Sequence, residues 1–237
     1  MKFFDWPDAA MQARARSTAI SVFFMLSDIT ITNVIKIVPL SIMKMIFATG
    51  NKGKLREAAE ILGEGYELVT PAQMGITEEI PETGDTLQEN SLQKAEYLYK
   101  KTGLDCFADD SGLEVDALGG APGVHSARYA GDGHDFQANI DKLLAELDKR
   151  PGEARTARFR SVVTLLINGE PHYFDGTLEG VIGTERAGNG GFGYDPVFIP
   201  EMYGGRTLAQ VSEEEKNAVS HRGQAIRAMA SWLAEKH

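Results

Sequence analysis

The chain reads as an α/β protein built on a mixed β-sheet with flanking helices, and three observations predict it. An apolar run at 44–48 passes through a glycine-lysine loop into a segment whose apolar residues recur at helical spacing, so a strand, a loop and a helix follow one another. Further on, Arg158 to Ile167 is followed by Asn168-Gly169 and a return through His172-Tyr173-Phe174, which is a hairpin signal and makes that part antiparallel. At 237 residues and 43% hydrophobic, the chain can bury a full core as one sizeable domain or two fused lobes.

Charge and composition exclude several classes of function. A net charge of −10 opposes sequence-independent binding to a nucleic-acid backbone, so any bound anion must be small and locally held. The one cysteine, Cys106, lies in an apolar strand and suits a core residue better than a nucleophile, which makes a reducing compartment the default. Residues 1–42 read unlike the rest. Their charge-free apolar run, 17–27, is far shorter than the roughly 20 residues of a membrane span, and Asp5 and Asp8 spoil a targeting signal. The expectation is a non-core extension or an upstream start, with the functional start at Met43 or Met45, a domain over 43–237, a cytoplasmic location, and neither membrane nor nucleic acid as partner.

Taken in order, 44–48 is a strand that ends in Thr49-Gly50-Asn51-Lys52-Gly53-Lys54, and a helix follows through Leu55, Ala58, Ala59, Ile61 and Leu62 to Gly63. Backbone N–H groups at a helix start are unsatisfied, so this loop is either a phosphate cradle or an ordinary turn. A second strand is expected over 66–70, stopped by Pro71. An acidic loop through Glu78, Glu79 and Glu82 leads to a helix over 86–101 that buries Leu87, Ala95, Leu98 and Tyr99. On it Asn90 and Lys94 lie one turn apart, as a solvated surface pair or as an amide and an ammonium presented together.

Phe107 to Gly112 puts Asp109 and Asp110 side by side where a strand is expected to end, with Ser111-Gly112 as the turn. Side chains alternate along a strand, so the two carboxylates should point opposite ways and only one should meet a ligand. They are either catalytic, with a divalent metal relieving their repulsion, or an ordinary strand cap. After the glycines at 119–123, a packing helix is expected over 136–147. The loop 188–196 places Phe192, Gly193, Tyr194 and Asp195 in a setting too glycine-rich to be held by packing alone, which a planar ligand between the two aromatics would explain. Ser212 and Glu215 make a capping box for a short helix carrying Lys216, and His221 beside Arg222 reads as a donor pair before a last helix with Ile226, Met229, Trp232 and Leu233.

The assembled motifs resemble one family, the non-standard purine nucleoside triphosphate pyrophosphatases, also called inosine triphosphatases. They are TGNKGK at 49–54, ETG at 82–84, ENSLQKA at 89–95, ADDSGL at 108–113, GGAPG at 119–123, GGFGYDP at 190–196 and EEKNAVSHRGQA at 214–225. The resemblance runs from about Met45 to the last helix and leaves out the first 42 residues.

The resemblance implies an elongated two-lobed fold around a central cleft, a homodimer, and Mg²⁺-dependent cleavage of ITP, dITP or XTP to monophosphate and pyrophosphate. On that reading Asp110 is metal ligand and general base, Glu82 the second ligand, and Asp109 a support. The 49–54 loop, Lys94 and Lys216 hold the phosphates, Ser111 donates a hydrogen bond, Phe192 stacks on the base, and Asp195 makes a polar contact. Donors from His221 and Arg222 suit a base with a carbonyl at position 6 and disfavour adenine, which has an amino group there. Two rivals are a Maf-like pyrophosphatase of different base specificity and a catalytically silent nucleotide-binding regulator.

Overall fold

The computed structural model describes residues 42–236. The expectation for residues 1–42 falls, but for Ile42, outside them. In chain order the elements are β1 (Met43–Phe47), α1 (Lys52–Leu62), β2 (Tyr66–Val69), α2 (Leu87–Thr102), β3 (Cys106–Val115), α3 (Phe136–Asp148), β4 (Thr156–Ile167), β5 (Glu170–Ile182), β6 (Phe198–Pro200), α4 (Glu213–Val219) and α5 (His221–Lys236). The strands form one sheet in the order β2-β1-β3-β4-β5-β6, with β1 parallel to β2 and β3 and the remaining pairs antiparallel. The sheet is therefore mixed, as the sequence predicts. No helix among the described residues is long and apolar enough to cross a membrane.

Local chemistry sets the boundaries. Thr86 and Glu89 exchange side-chain hydrogen bonds with each other's backbone to open α2, and Gly103 closes it in the left-handed conformation. Ser212 and Glu215 open α4 in the same way. Asn168 and Gly169 both take positive φ, 51° and 81°, the backbone that a two-residue hairpin between right-twisted strands requires.

Alternation along the strands sorts the helices into layers. The helices α1 and α5 share a core with Phe107, Val163 and Leu165, whereas α2 packs on Cys106, Ala108 and Leu166, the neighbouring positions that face the other way. The helix α3 packs with Leu113, Val115, Leu178 and Phe198, so it lies on the same face as α1 and α5 but farther along the sheet. The cleft opens on that face, between the α1/α5 layer and the α3 layer.

Two local expectations are corrected, and one open alternative is decided. The strand through the two aspartates does not end in an Asp-Ser-Gly turn, because β3 pairs with β4 without interruption from Cys106↔Leu166 to Val115↔Ala157. Gly112 serves close approach instead, since a Cβ there would lie 2.3 Å from the Gly123 carbonyl oxygen. Asn90 and Lys94 are buried rather than solvated, because their face of α2 turns toward β3 and the 82–86 loop. His172, expected on a strand surface, is half-buried with its ring 4.3 Å from that of Trp232.

One buried group has an energetic consequence. Ser91 Oγ donates to the Ala108 carbonyl and accepts from the Thr164 amide, both at 3.0 Å, and so ties α2 to β3 and β4. The Thr164 hydroxyl beside this bridge is fully buried and has no partner among the described residues. Thr164→Val is expected to be neutral or to stabilise by about 1–2 kcal/mol in urea unfolding, because it removes an unpaired polar atom while keeping the β-branched shape. A loss above about 1 kcal/mol would show that the hydroxyl is paired.

Candidate active site

Strand alternation sends Asp109 and Asp110 to opposite faces, as the sequence predicts, and each meets different helices. Asp109 is 1% exposed and accepts from Lys54 Nζ of α1 at 2.8 and 3.0 Å and from Arg222 Nε of α5 at 2.9 Å. Burial alone would raise its pKa, but the charges of Lys54, Arg222 and Lys94 overcome that and hold the carboxyl far below the usual range. Asp110 accepts from Lys94 Nζ of α2 at 2.9 Å, and the same ammonium donates to Glu82 at 2.9 Å. Burial pushes the Asp110 pKa up; Lys94 opposes this, and the negative charges of Glu82 and Asp109 add to it. Asp109 is thus locked as an anion, while Asp110 is the more basic of the two.

The backbone around them leaves an opening. On the β1 side, β3 is paired at Phe47↔Phe107 and meets chain again at the Glu114↔Pro122 bridge, so among the described residues no strand pairs with that edge from Asp109 to Gly112. The loop 49–54 begins where β1 stops. Asn51 caps α1, accepting from Gly53 N at 2.8 Å and Lys54 N at 3.2 Å, and its own N–H donates to Thr49 Oγ1. The helix-start amides that the sequence offers to a phosphate are therefore capped by Asn51, and Lys54 is the loop's charged contribution. Gly50 and Lys52 are exposed and Thr49 is buried; none of the three lines the cleft cavity.

That cavity, of about 460 Å³, lies between the two helical layers and has the sheet residues Leu113, Phe159 and Leu178 among its lining. Asn51, Gly53, Lys54, Ser111, Phe192, Gly193, Tyr194, Asp195, Lys216, His221 and Arg222 all border it. Glu82, Lys94 and Asp110 do not; they form the adjoining cluster, one residue along the chain from Ser111. Phe192 is 60% exposed beside Gly191, which is obligatory because a Cβ there would collide with the Asp195 carboxylate. Asp195 is 3% exposed, accepts from the Phe192 amide at 2.8 Å and pairs with Lys216, whose ammonium stands 4.4 Å from the Phe192 ring centre. Tyr194 turns into the core and donates its hydroxyl to the Ser126 carbonyl, so of the two loop aromatics only Phe192 presents an exposed ring.

His221 stacks on Phe159, with ring centres 5.1 Å apart and planes 12° apart. Burial and the neighbouring Arg222 lower its pKa to about 3, so it is a neutral imidazole with one donor and one acceptor. Arg222 also reaches Glu57 at 3.5 Å, and Glu57 accepts from Ser220 at 2.6 Å. Sequence reading missed Glu57 and Phe159 and gave Ser220, inside the 214–225 motif, no role of its own. Glu57 sits three residues after Lys54 on one helix face, a spacing that could have flagged it. Ser111, expected to meet ligand, donates to Ser161 Oγ at 2.9 Å within the sheet.

Comparison with known proteins agrees with this architecture. The model of the Ham1 family matches residues 45–232. The chain is 52% identical over 192 residues to the dITP/XTP pyrophosphatase of Porphyromonas gingivalis, covering 80% of this chain and 97% of that one. It is 46% identical over 193 residues to the dITP/XTP pyrophosphatase of Christiangramia forsetii, covering 81% of this chain and all of the other. Among solved structures, a HAM1 protein from Coxiella burnetii superposes with a TM-score of 0.77 at 39% identity, over 81% of this chain and 99% of its own. With the family model matched over residues 45–232 and the same fold shared, the chain is a member of the Ham1 family.

Proposed function

We propose that this protein hydrolyses non-canonical purine nucleoside triphosphates, ITP, dITP and XTP, to the monophosphate and pyrophosphate, with Mg²⁺ as cofactor. The observation that carries the reading is the division of labour between two adjacent aspartates. One is spent holding the cations that border a nucleoside-sized cavity, and the other is left basic at the open strand edge beside it.

The donor set fits magnesium. Lys94 engages one oxygen of Glu82 and one of Asp110. Both side chains offer hard carboxylate oxygens, of which an ion that keeps its waters takes one or two beside substrate phosphates. When bound, the ion supplies charge neutralisation on the leaving pyrophosphate and acidifies water. Glu82 and Asp110 are the residues that would hold it.

The rest is done by the chain. Asp110 takes a proton from the water that attacks the α-phosphorus, and its raised pKa brings it closer to the operating pH than an ordinary aspartate. Lys54, Lys94 and Lys216 hold the phosphates. Phe192 stacks on the base, and His221 and Arg222 read its position 6, where hypoxanthine and xanthine carry an acceptor. The same reading carries a homodimer, a cytoplasmic location and a catalytic domain over 43–237.

Pyrophosphate release with Mg²⁺ from ITP, dITP and XTP, beside ATP and GTP, tests it: the first three are expected to be cleaved at least about 100-fold better in kcat/KM. Equal cleavage of ATP and GTP would overturn it. Arg222→Ala is expected to lower kcat/KM for ITP about 10- to 100-fold while narrowing the ITP to ATP ratio. An equal loss on every nucleotide would remove Arg222 from base selection.

A further inference from the structure

Among the described residues two phenylalanines are conspicuously exposed, Phe192 at 60% and Phe136 at 44%, and both line the same cavity. Phe136 is the first residue of α3, on the layer that faces α1 across the cleft, where Arg56 and Glu60 form part of the opposite wall. Its position is fixed rather than incidental. Asp135 caps the helix by accepting from the amides of Gln137 and Ala138, and Arg186 clamps the first turns by donating to the Gln137 carbonyl at 3.0 Å and to Asp141 at 2.8 Å. Ile140 and Leu143, one and two turns on, anchor the same helix in the core. A large apolar ring held at the rim of a cavity forfeits burial unless a ligand covers it.

The loop at 188–196 supplies one aromatic platform, because Tyr194 is committed to the core. A base stacked on Phe192 alone leaves its other face to water. From these placements we infer that Phe136 is a second aromatic wall of the base site, closing on the purine from the α3 side, so that the two lobes clamp the base between Phe136 and Phe192. This rests on the nucleotide reading given above. Stacking is indifferent to the exocyclic groups of a purine. Phe136 therefore contributes affinity for any purine, whereas the choice among purines stays with His221 and Arg222.

The test is steady-state cleavage of ITP and XTP by the full chain and by Phe136→Ala, Phe136→Trp and Phe136→Leu. Loss of one stacking face is expected to raise KM about 5- to 150-fold for both substrates in Phe136→Ala, with kcat within about twofold, since substrate and transition state lose the same contact. Phe136→Trp is expected to restore KM, and Phe136→Leu to fall between. A KM in Phe136→Ala within twofold of the parent, or a Trp variant no better than the Ala variant, would overturn the inference. Failure of the parent protein to cleave ITP would instead overturn the nucleotide reading itself. If Phe136→Ala does not fold, the comparison of Phe136→Trp with Phe136→Leu decides: equal KM values sink the clamp.

Discussion

Asp110→Asn is expected to lower pyrophosphate release from ITP by about 10²- to 10⁴-fold while the protein keeps its fold and its melting temperature to within a few degrees. The amide preserves the shape of the carboxylate and can still accept from Lys94 at the 2.9 Å now seen, but it cannot take a proton from water and is a poor partner for a dication. Because burial already pushes the Asp110 pKa upward, neutralising this side chain removes unfavourable buried negative charge as well as a base, so stability is not where the loss appears. The measurement is single-turnover hydrolysis at saturating ITP and Mg²⁺, with unfolding followed in parallel. Turnover within tenfold of the parent would dismiss Asp110 as the base.

The second large effect falls on stability and belongs to the neighbouring residue. Asp109→Ala leaves Lys54 and Arg222 facing each other without the anion that separates them, and both are held by surrounding structure. Breaking a buried pair from one side costs about 3–5 kcal/mol, or a fall of roughly 6–20 °C in melting temperature for a domain of this size. The sign with pH follows from the depressed carboxyl. Its contribution is complete above the ordinary aspartate value of 3.8 and fades as pH falls below that toward the folded value. The gap between parent and variant should therefore be full at pH 7 and narrow in acid. Adding Lys54→Met should recover part of the loss, because it removes one uncompensated cation. A fall under about 1 kcal/mol at pH 7 would mean that Asp109 does not hold the two cations together.

Much of this arrangement was legible in the sequence, and the legible parts share a cause. The Asn168-Gly169 hairpin, the Ser212/Glu215 helix start and the opposite facing of Asp109 and Asp110 all depend on neighbours within a few residues. What stayed hidden depends on distant chain. The Asp-Ser-Gly turn was misread because continuation of β3 is imposed by the ladder to β4, about fifty residues away. Spacing on α2 leaves Lys94 open between a surface pair and a functional ammonium, because nothing on that helix announces that Glu82 and Asp110 converge on it. That Phe136 and Phe192 line one cavity has no local signature, since α3 and the 188–196 loop come to it only through the fold. Sequence leaves the 49–54 loop open between a phosphate cradle and an ordinary turn, and the Asn51 side chain itself caps the free amides of α1.

Four cations in and beside the cleft are each paired with an acidic neighbour. Lys54, Lys94, Lys216 and Arg222 are all claimed at rest by acidic side chains. An arriving anion does not find bare positive charge; it must persuade resident couples to part. A small visitor such as inorganic orthophosphate can part only one and recovers little in return, whereas a long ester that touches several at once is repaid across its whole length. The cleft's ion pairs therefore favour an anion long enough to meet several of them at once.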